Sequence, residues 1–495
     1  MRISLERDAG RSAGPVYRQI ASQIRGEIDA RRLQAGSRLP PIRALARELG
    51  VNRDTVALAY EELAAAGVVE STVGRGTFVR DAAVPAEGAA PAFEPELCPL
   101  VERLLDFERS QPRFVTAGDA VPMHALIPDP GLYPAEAFRR ALDRVLAEGG
   151  PDLLLYGAPQ GHAGLRQVLA ERLRAARIPV DPDGLVLCHG ASQGITLALR
   201  LFAQPGDGVA LEEPTYRNAL AAAYGLGLRP VPVPMREDGL DLAALDRVLA
   251  RPDVKLLYTM PSFHNPMGIS TSPAHRRELL EVAARHAKPV VEDGFELDLR
   301  FEGRPAPPLA ALDERGQVIH LFSFSKSLFP GARVGALAAR GRVVDGLLAL
   351  KQATDLSDAL PLQAALAAFT AEGSYDRHLA RLRRVLRGRR DAVVEALERE
   401  MPAGTRFAPP EGGYQVWVEL PDSIDSADLL ADAVGAGVLF APGSLFYADG
   451  RASRHLRLSF AMADEAALRR GVAALAGVVK RRLAAAPGRA ARVHV

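Results

Sequence analysis

Cysteine is almost absent from this 495-residue chain, which holds only Cys98 and Cys188. Two distant cysteines build neither a disulfide framework nor a zinc site. His124, His189, His264 and Cys188 also lack metal-ligand spacing, so the expectation is no metal. Lysine is nearly as scarce. It occurs at Lys255, Lys288, Lys326, Lys351 and Lys480, and chemistry that needs a side-chain primary amine has only those five candidates. No apolar run approaches the roughly 20 residues that span a bilayer. The charged start, Met1–Ser12, has no hydrophobic signal core. The expected location is cytoplasmic, with no membrane partner.

Hydrophobic residues make up 48% and charged residues 24% of the chain, as in ordinary folded domains. The length suggests about three domains as a first expectation. A net charge of +1 excludes a uniformly basic or acidic chain. The distribution is uneven: residues 1–80 hold 13 Lys+Arg against 9 Asp+Glu, and the remainder 48 against 51. The basic excess lies at the N-terminal end, as a nucleic-acid footprint does.

Residues 1–80 read as a compact head. Ile20, Ile24 and Ile28 recur with helical spacing. Pro40-Pro41 opens a second helix with Ile42, Leu45 and Leu49 inward, and Gly50-Val51 makes a turn. Asn52 is the expected N-cap of a third helix bearing Val56, Tyr60 and Leu63, which Gly67 ends. Val68-Val69 and Thr77-Phe78-Val79 flank a turn at Gly74-Arg75-Gly76 and read as a hairpin. Three helices and a hairpin make a winged helix-turn-helix. Its recognition helix enters the major groove by its N-terminal end, here Asn52-Arg53-Asp54-Thr55. Arginine suits guanine, asparagine suits adenine, and threonine suits a phosphate or a thymine methyl. Arg43 is placed for a phosphate, and Arg75 at the wing tip for the minor groove. Each arginine alone would pass for a solvated surface residue. Their convergence on one helix start makes a candidate site for double-stranded DNA. The runs Leu39–Ala46, Gly50–Val56, Ala59–Leu63 and Gly74–Val79 resemble the GntR-type winged helix, with Pro41 where serine is common.

Prolines scattered over residues 81–113 read as a linker with a short helix near Leu97–Phe107. Residues 114–490 alternate helical patterns with the apolar strands Leu185–Cys188, Gly208–Leu211, Leu256–Tyr258, Pro289–Glu292 and Val318–Phe322. That alternation is the signature of an α/β domain with a mixed, mostly parallel sheet. Lys326 stands at a strand exit, next to Ser323 and Arg333. This is a setting for a Schiff-base lysine beside a phosphate. Asn265, after another strand, is suited to a phenolic oxygen. Asp293 at a strand end is suited to a pyridinium nitrogen. Gly190-Ala191-Ser192-Gln193-Gly194 opens a helix, whose N-terminal amides bind phosphate.

In order along the chain, Tyr156–Gly161, Gly190–Gly194, Glu213–Tyr216, Asn265–Gly268, Asp293, Lys326, Arg333 and Arg457–Phe460 resemble the fold-type-I aminotransferases. The resemblance implies a large subdomain at about 160–345 and a smaller C-terminal α/β subdomain at about 375–485. It implies pyridoxal 5′-phosphate held as an internal aldimine on Lys326. It places Asp293 on the ring nitrogen, Asn265 on the ring oxygen and Tyr216 on the ring face. Ala191, Ser192, Gln193, Ser323 and Arg333 fall on the phosphate. Tyr156 reaches the phosphate of a neighbouring subunit, and Arg457 takes a ligand carboxylate. The family's tyrosine shortly after the aspartate is Phe295 here, so the ring oxygen loses a partner. Arg217 stands where some relatives place a second ligand-binding arginine.

A GntR-type head on an aminotransferase-like domain resembles the MocR/GabR group of transcription regulators. That resemblance implies a head-to-tail homodimer that senses an amino compound, or pyridoxal phosphate itself, through the Lys326 aldimine and controls nearby genes. The competing reading is an active aminotransferase with an appended head.

Overall fold

The computed structural model describes residues 16–29, 32–72, 76–80, 95–109 and 120–485. Contacts divide the chain between Glu96 and Leu97 into two compact units.

In the first unit, helices α1 (Val16–Asp29), α2 (Ile42–Leu49) and α3 (Arg53–Ala65) precede the antiparallel strands β1 (Val69–Thr72) and β2 (Gly76–Val79). Ile20, Ile24, Leu45, Val56, Tyr60, Leu63, Val69 and Val79 form its core. Helix α2 ends at Gly50, whose φ of 62° is the left-handed conformation that glycine adopts without steric cost. Asn52 caps α3, its side-chain oxygen accepting the Asp54 N–H at 3.2 Å. Tyr60 Oη donates to the Pro40 carbonyl at 2.8 Å, fastening α3 to the entry of α2. Arg75, expected at the wing tip, lies outside the described residues.

The second unit begins with α4 (Pro99–Arg109), inside the stretch expected as linker. This helix packs on the large unit: Phe107 lies 5.0 Å from the Tyr224 ring. The strands are β3 (Val121–Pro122), β4 (Leu185–Cys188), β5 (Gly208–Glu213), β6 (Arg229–Arg236), β7 (Gly239–Leu240), β8 (Val254–Thr259), β9 (Val290–Asp293), β10 (Val318–Ser323) and β11 (Gly335–Ala338). Eight of them form one sheet in the order β4-β11-β10-β9-β8-β5-β6-β7. Neighbours from β10 through β6 pair in parallel, while β11 is antiparallel to both β10 and β4. Strands β4, β9, β10 and β11 are buried at every position. That is why they are runs of apolar residues with no alternation: helices cover both faces of the sheet.

Helices α5 (Ala135–Gly149) and α6 (Ala163–Ala175) precede β4. Helices α7 (Gly190–Phe202), α8 (Arg217–Gly225), α9 (Leu242–Leu249), α10 (Pro273–Arg285), α11 (Leu309–Leu312) and α12 (Phe324–Ser327) alternate with the strands. Then α13 (Arg342–Asp355), α14 (Leu360–Ala371) and α15 (Ser374–Glu400) lead into a second sheet. It holds β12 (Arg406–Phe407), β13 (Gln415–Glu419), β15 (Ala441–Pro442) and β16 (His455–Ser459), all antiparallel, in the order β12-β13-β16-β15. Helices α16 (Ser426–Gly435) and α17 (Glu465–Ala485) accompany it. Strand β14 (Val438–Leu439) pairs in parallel with β3, so residues near 121 belong with this C-terminal part as well. No helix among the described residues is long and apolar enough to cross a membrane.

Candidate functional site

The carboxyl ends of parallel strands are where open α/β sheets bind ligands, and the expected residues converge there. Asp293 ends β9 and pairs in register with Leu321 of β10, two residues before Ser323. Ser323 ends β10 and caps α12, its Oγ accepting the Ser325 N–H at 3.2 Å. One residue on, Lys326 points its Nζ at the Leu126 carbonyl, and its own carbonyl accepts the Tyr414 hydroxyl at 2.6 Å. Burial pushes the lysine well below its ordinary range, which raises the fraction of nucleophilic amine near neutral pH.

Asp293 is 1% exposed. Its Oδ2 accepts the Tyr258 hydroxyl at 2.7 Å and its Oδ1 the Phe295 N–H at 3.2 Å. Burial raises its pKa to about 6. Tyr258 was not singled out in the sequence, because a tyrosine in the strand Leu256–Thr259 reads as core. The rings of Tyr216 and Phe295 face each other in parallel, 4° apart in orientation with centroids separated by 6.5 Å. Phe295 is itself buried, in a core cluster against which Tyr216 packs. The residue that enters the pocket beside it is Glu296, which sequence reasoning missed. Its carboxyl is 1% exposed and neither oxygen has a hydrogen-bond partner among the described residues.

The start of α7 lies against Arg333. Its first N–H groups have no partner within the helix, and they carry the positive end of the helix dipole. Gly190, at φ 77°, makes room for Arg333: a Cβ there would lie 3.0 Å from the guanidinium. Arg333 itself adopts φ 47° and donates to the His189 carbonyl at 2.9 Å. Ala191 and Ser192 sit in the first turn. Gln193 follows in the same turn. Its side chain is spent elsewhere, accepting the His189 N–H at 2.7 Å and donating to Asp355 at 2.6 Å. Only its backbone N–H is left for an anion. His189 also lies 3.4 and 3.2 Å from Asp355 and Asp358. The positive charge of that cluster is the fully buried Lys351, 2.8 Å from Asp358.

Arg457 comes from β16, in the second sheet. It donates to Asn265 Oδ1 and to the His124 carbonyl, each at 2.7 Å, and is 8% exposed. The bond fixes the Asn265 amide so that its nitrogen is the donor left for a phenolic oxygen. Arg217 turns away from this pocket: it pairs with Glu108 at 2.6 Å and lies over Phe107. Tyr156 is 86% exposed, next to Leu154 and Leu155, which are 73% and 66% exposed. An amine, a buried carboxylate, an aromatic ring and a helix N-terminus with an arginine are the parts that pyridoxal 5′-phosphate requires, and the residues fit it.

Asp293 carries a prediction for the cofactor-free protein. Its folded pKa lies above the unfolded value of 3.8. The unfolded state therefore binds fewer protons between the two values, and stability falls as pH rises through that window. Above about pH 6 the ionised group costs roughly 3 kcal/mol. Asp293→Asn is expected to raise the melting temperature of the cofactor-free chain at pH 8 and to change it little at pH 4, while weakening cofactor binding. Thermal unfolding at the two pH values checks this.

In the head, Arg43, Asn52 and Arg53 are exposed and Thr55 is half-buried. Arg53 lies 3.4 Å from Asp54, with both side chains largely in solvent. A pair of this kind is worth little and leaves Arg53 available to a base. Arg53→Ala is expected to weaken specific DNA binding by about 1–3 kcal/mol, read by a binding titration at fixed salt. Equal affinity would show that Arg53 reads no base.

The family model for aminotransferase class I and II matches residues 129–475, and that for bacterial regulatory proteins of the gntR family matches residues 16–79. A probable rhizopine catabolism regulatory protein, MocR, of Rhizobium meliloti is 32% identical over 96% of this chain and 95% of its own. Among solved structures, a multiple-substrate aminotransferase from Thermococcus profundus superposes with a TM-score of 0.72 at 32% identity, over 79% of this chain and 96% of that one. The α-aminoadipate aminotransferase LysN of Thermus thermophilus, complexed with N-(5′-phosphopyridoxyl)-L-leucine, gives 0.70 at 34% identity, over 78% and 96%. The last two cover about four-fifths of this chain, whereas the first covers nearly all of it. The chain belongs to the MocR-type regulators, in which a gntR-family DNA-binding head is joined to a class I and II aminotransferase domain.

Proposed function

We propose that this protein is a pyridoxal-phosphate-dependent transcription regulator that holds its cofactor on Lys326 and responds to an amino compound bearing an acid group, or to the cofactor itself. The observation that carries the reading is the meeting, in one pocket, of the Lys326 amine, the buried Asp293 and the Arg457–Asn265 pair, in a chain that also carries a DNA-binding head. Pyridoxal phosphate, when bound, supplies an aldehyde for amines and a ring that withdraws electrons. Asp293 holds the ring nitrogen, with Tyr258 fixing the carboxylate. Tyr216 lies on the ring face. Asn265 binds the ring oxygen, while Ser323, Arg333 and the backbone of Ala191, Ser192 and Gln193 bind the phosphate. Arg457 receives the effector's carboxylate. An effector shifts the regulator only by binding its two states unequally.

The proposed assembly is a head-to-tail homodimer in which Tyr156 completes the partner's phosphate site. The exposed Leu154, Leu155 and Tyr156 support an interface there, and Leu356, 60% exposed, adds to it. Gly157 abuts Leu360, which brings the two stretches together. In the head, Arg43, Asn52, Arg53 and Thr55 are the proposed DNA contacts.

Lys326, Asp293, Asn265 and Arg457 are all in place for a half-transamination, and some transaminase activity belongs to the same reading. The test is a DNA-binding titration on the promoter region next to the protein's own gene, with and without a panel of amines. An amine-dependent change in affinity is the expected result. Failure to bind that DNA overturns the reading as a regulator altogether, and steady turnover with an amino acid and a keto acid overturns the reading as a regulator alone.

A further inference from the structure

Lys351, on α13, is fully buried and has no role in the reading above. Its ammonium lies 3.2 Å from Asp355 and 2.8 Å from Asp358. A buried ion pair of this kind adds little to stability, because desolvation offsets the attraction. The backbone between the two aspartates is strained as well. Leu356 has φ 58°, an unfavourable value for a residue with a Cβ. The use of this assembly lies in what its carboxylates hold.

Asp355 accepts the side-chain N–H of Gln193 at 2.6 Å, and Gln193 turns its oxygen to the His189 N–H at 2.7 Å. The His189 carbonyl accepts from Arg333 at 2.9 Å, and the His189 ring nitrogen Nε2 lies 3.2 Å from Asp358. His189 is thus held at its N–H, its carbonyl and its ring, directly before the first residue of α7. On the far side, Asp358 accepts the side-chain N–H of Gln363 at 2.7 Å, whose oxygen accepts the His162 N–H at 2.8 Å. Both glutamine amides turn nitrogen to the acidic pair and oxygen to a backbone N–H. Ionised carboxylates, which only accept, demand that arrangement. Two of them persist in so buried a place because Lys351 supplies the compensating charge.

We propose that Lys351 is a positioning residue for the cofactor's phosphate: through Asp355 and Asp358 it holds Gln193 and His189, and so fixes the turn Gly190–Gln193 and Arg333 as one anion cup. Without the ammonium, two buried carboxylates face each other and take up a proton. The acceptors of Gln193 and His189 are then no longer fixed. The first N–H groups of α7 and the Arg333 guanidinium lose their common register, and a phosphate that needs both loses affinity. The inference rests on the phosphate site assigned in the functional reading.

The test uses the full-length chain stripped of cofactor. Pyridoxal phosphate is titrated by the lysine-bound visible band, and inorganic phosphate is titrated as a competitor of that band. Lys351→Met should weaken pyridoxal phosphate and inorganic phosphate alike, by about 10–100-fold, the range found for groups that orient the ligands of a metal. Gln193→Leu should weaken both in the same way while leaving Lys351 and its aspartates in place. Where Lys351→Met does not fold, Lys351→Met with Asp358→Asn removes the stranded charge and serves instead. A merely structural role predicts an unchanged constant for inorganic phosphate in every folded variant, and that result overturns the proposal. Inorganic phosphate that fails to compete in the wild type overturns it too. A wild-type chain that forms no lysine-bound band at all overturns the functional reading, and this inference with it.

Discussion

Replacing Lys326 with alanine is expected to abolish the visible absorbance of the lysine-bound cofactor while the chain stays folded. The reason is the scarcity of amines. Lys351 is fully buried and held between Asp355 and Asp358. Lys255 lies near Asp207 and the Pro252 carbonyl, and Lys288 binds the Val254 carbonyl. Lys480 sits on α17. None replaces Lys326 at the exit of β10. Alanine suits a helical position, and the lysine's nearest polar contact is a single backbone carbonyl, that of Leu126. The loss should therefore fall on the cofactor and not on the fold. A titration with pyridoxal phosphate, read by absorbance and with circular dichroism as the folding control, gives the answer. A band that survives would mean that another amine carries the cofactor.

The second large effect is expected at Arg457. Arg457→Ala should weaken binding of an amine that carries a carboxylate by about 2–5 kcal/mol, as for the loss of one partner in a buried charge pair. An amine of similar size without the acid group should lose far less. The contrast matters because the same substitution also frees Asn265 Oδ1 and the His124 carbonyl, and that perturbation affects both ligands alike. Absorbance titrations with the two amines separate the terms. An equal loss for both would remove Arg457 from the carboxylate site and leave it as a brace for Asn265.

Much of this site was legible in the sequence because its residues stand beside punctuation. Lys326, Asp293, Asn265 and the Gly190 loop each follow an apolar strand, and strand ends are easily read. All five expected strands are present, with ends that match or differ by one or two residues. The head was legible for a similar reason. A helix cap at Asn52, a left-handed glycine at Gly50 and a hydrophobic spacing at Ile20 and Ile24 are local signals. The helix α4 was expected near its true position but inside a linker. What the sequence could not show is that Phe107, Leu104 and Leu100 have α8 and its flanking turn to pack against.

The sequence by itself determined the order of elements, the amine and its companions, and the joining of two functions in one chain. Backbone punctuation and the period of apolar residues act over a few residues, and they are written locally. Tertiary structure decided the directions of side chains. It turned Gln193 toward Asp355 and Arg217 toward Glu108, and set the Phe295 ring parallel to that of Tyr216. It also buried Glu296 against Gly413, on a segment more than a hundred residues away. Such choices depend on burial and on charges that only the folded chain brings within a few ångströms, and no spacing along the sequence encodes them.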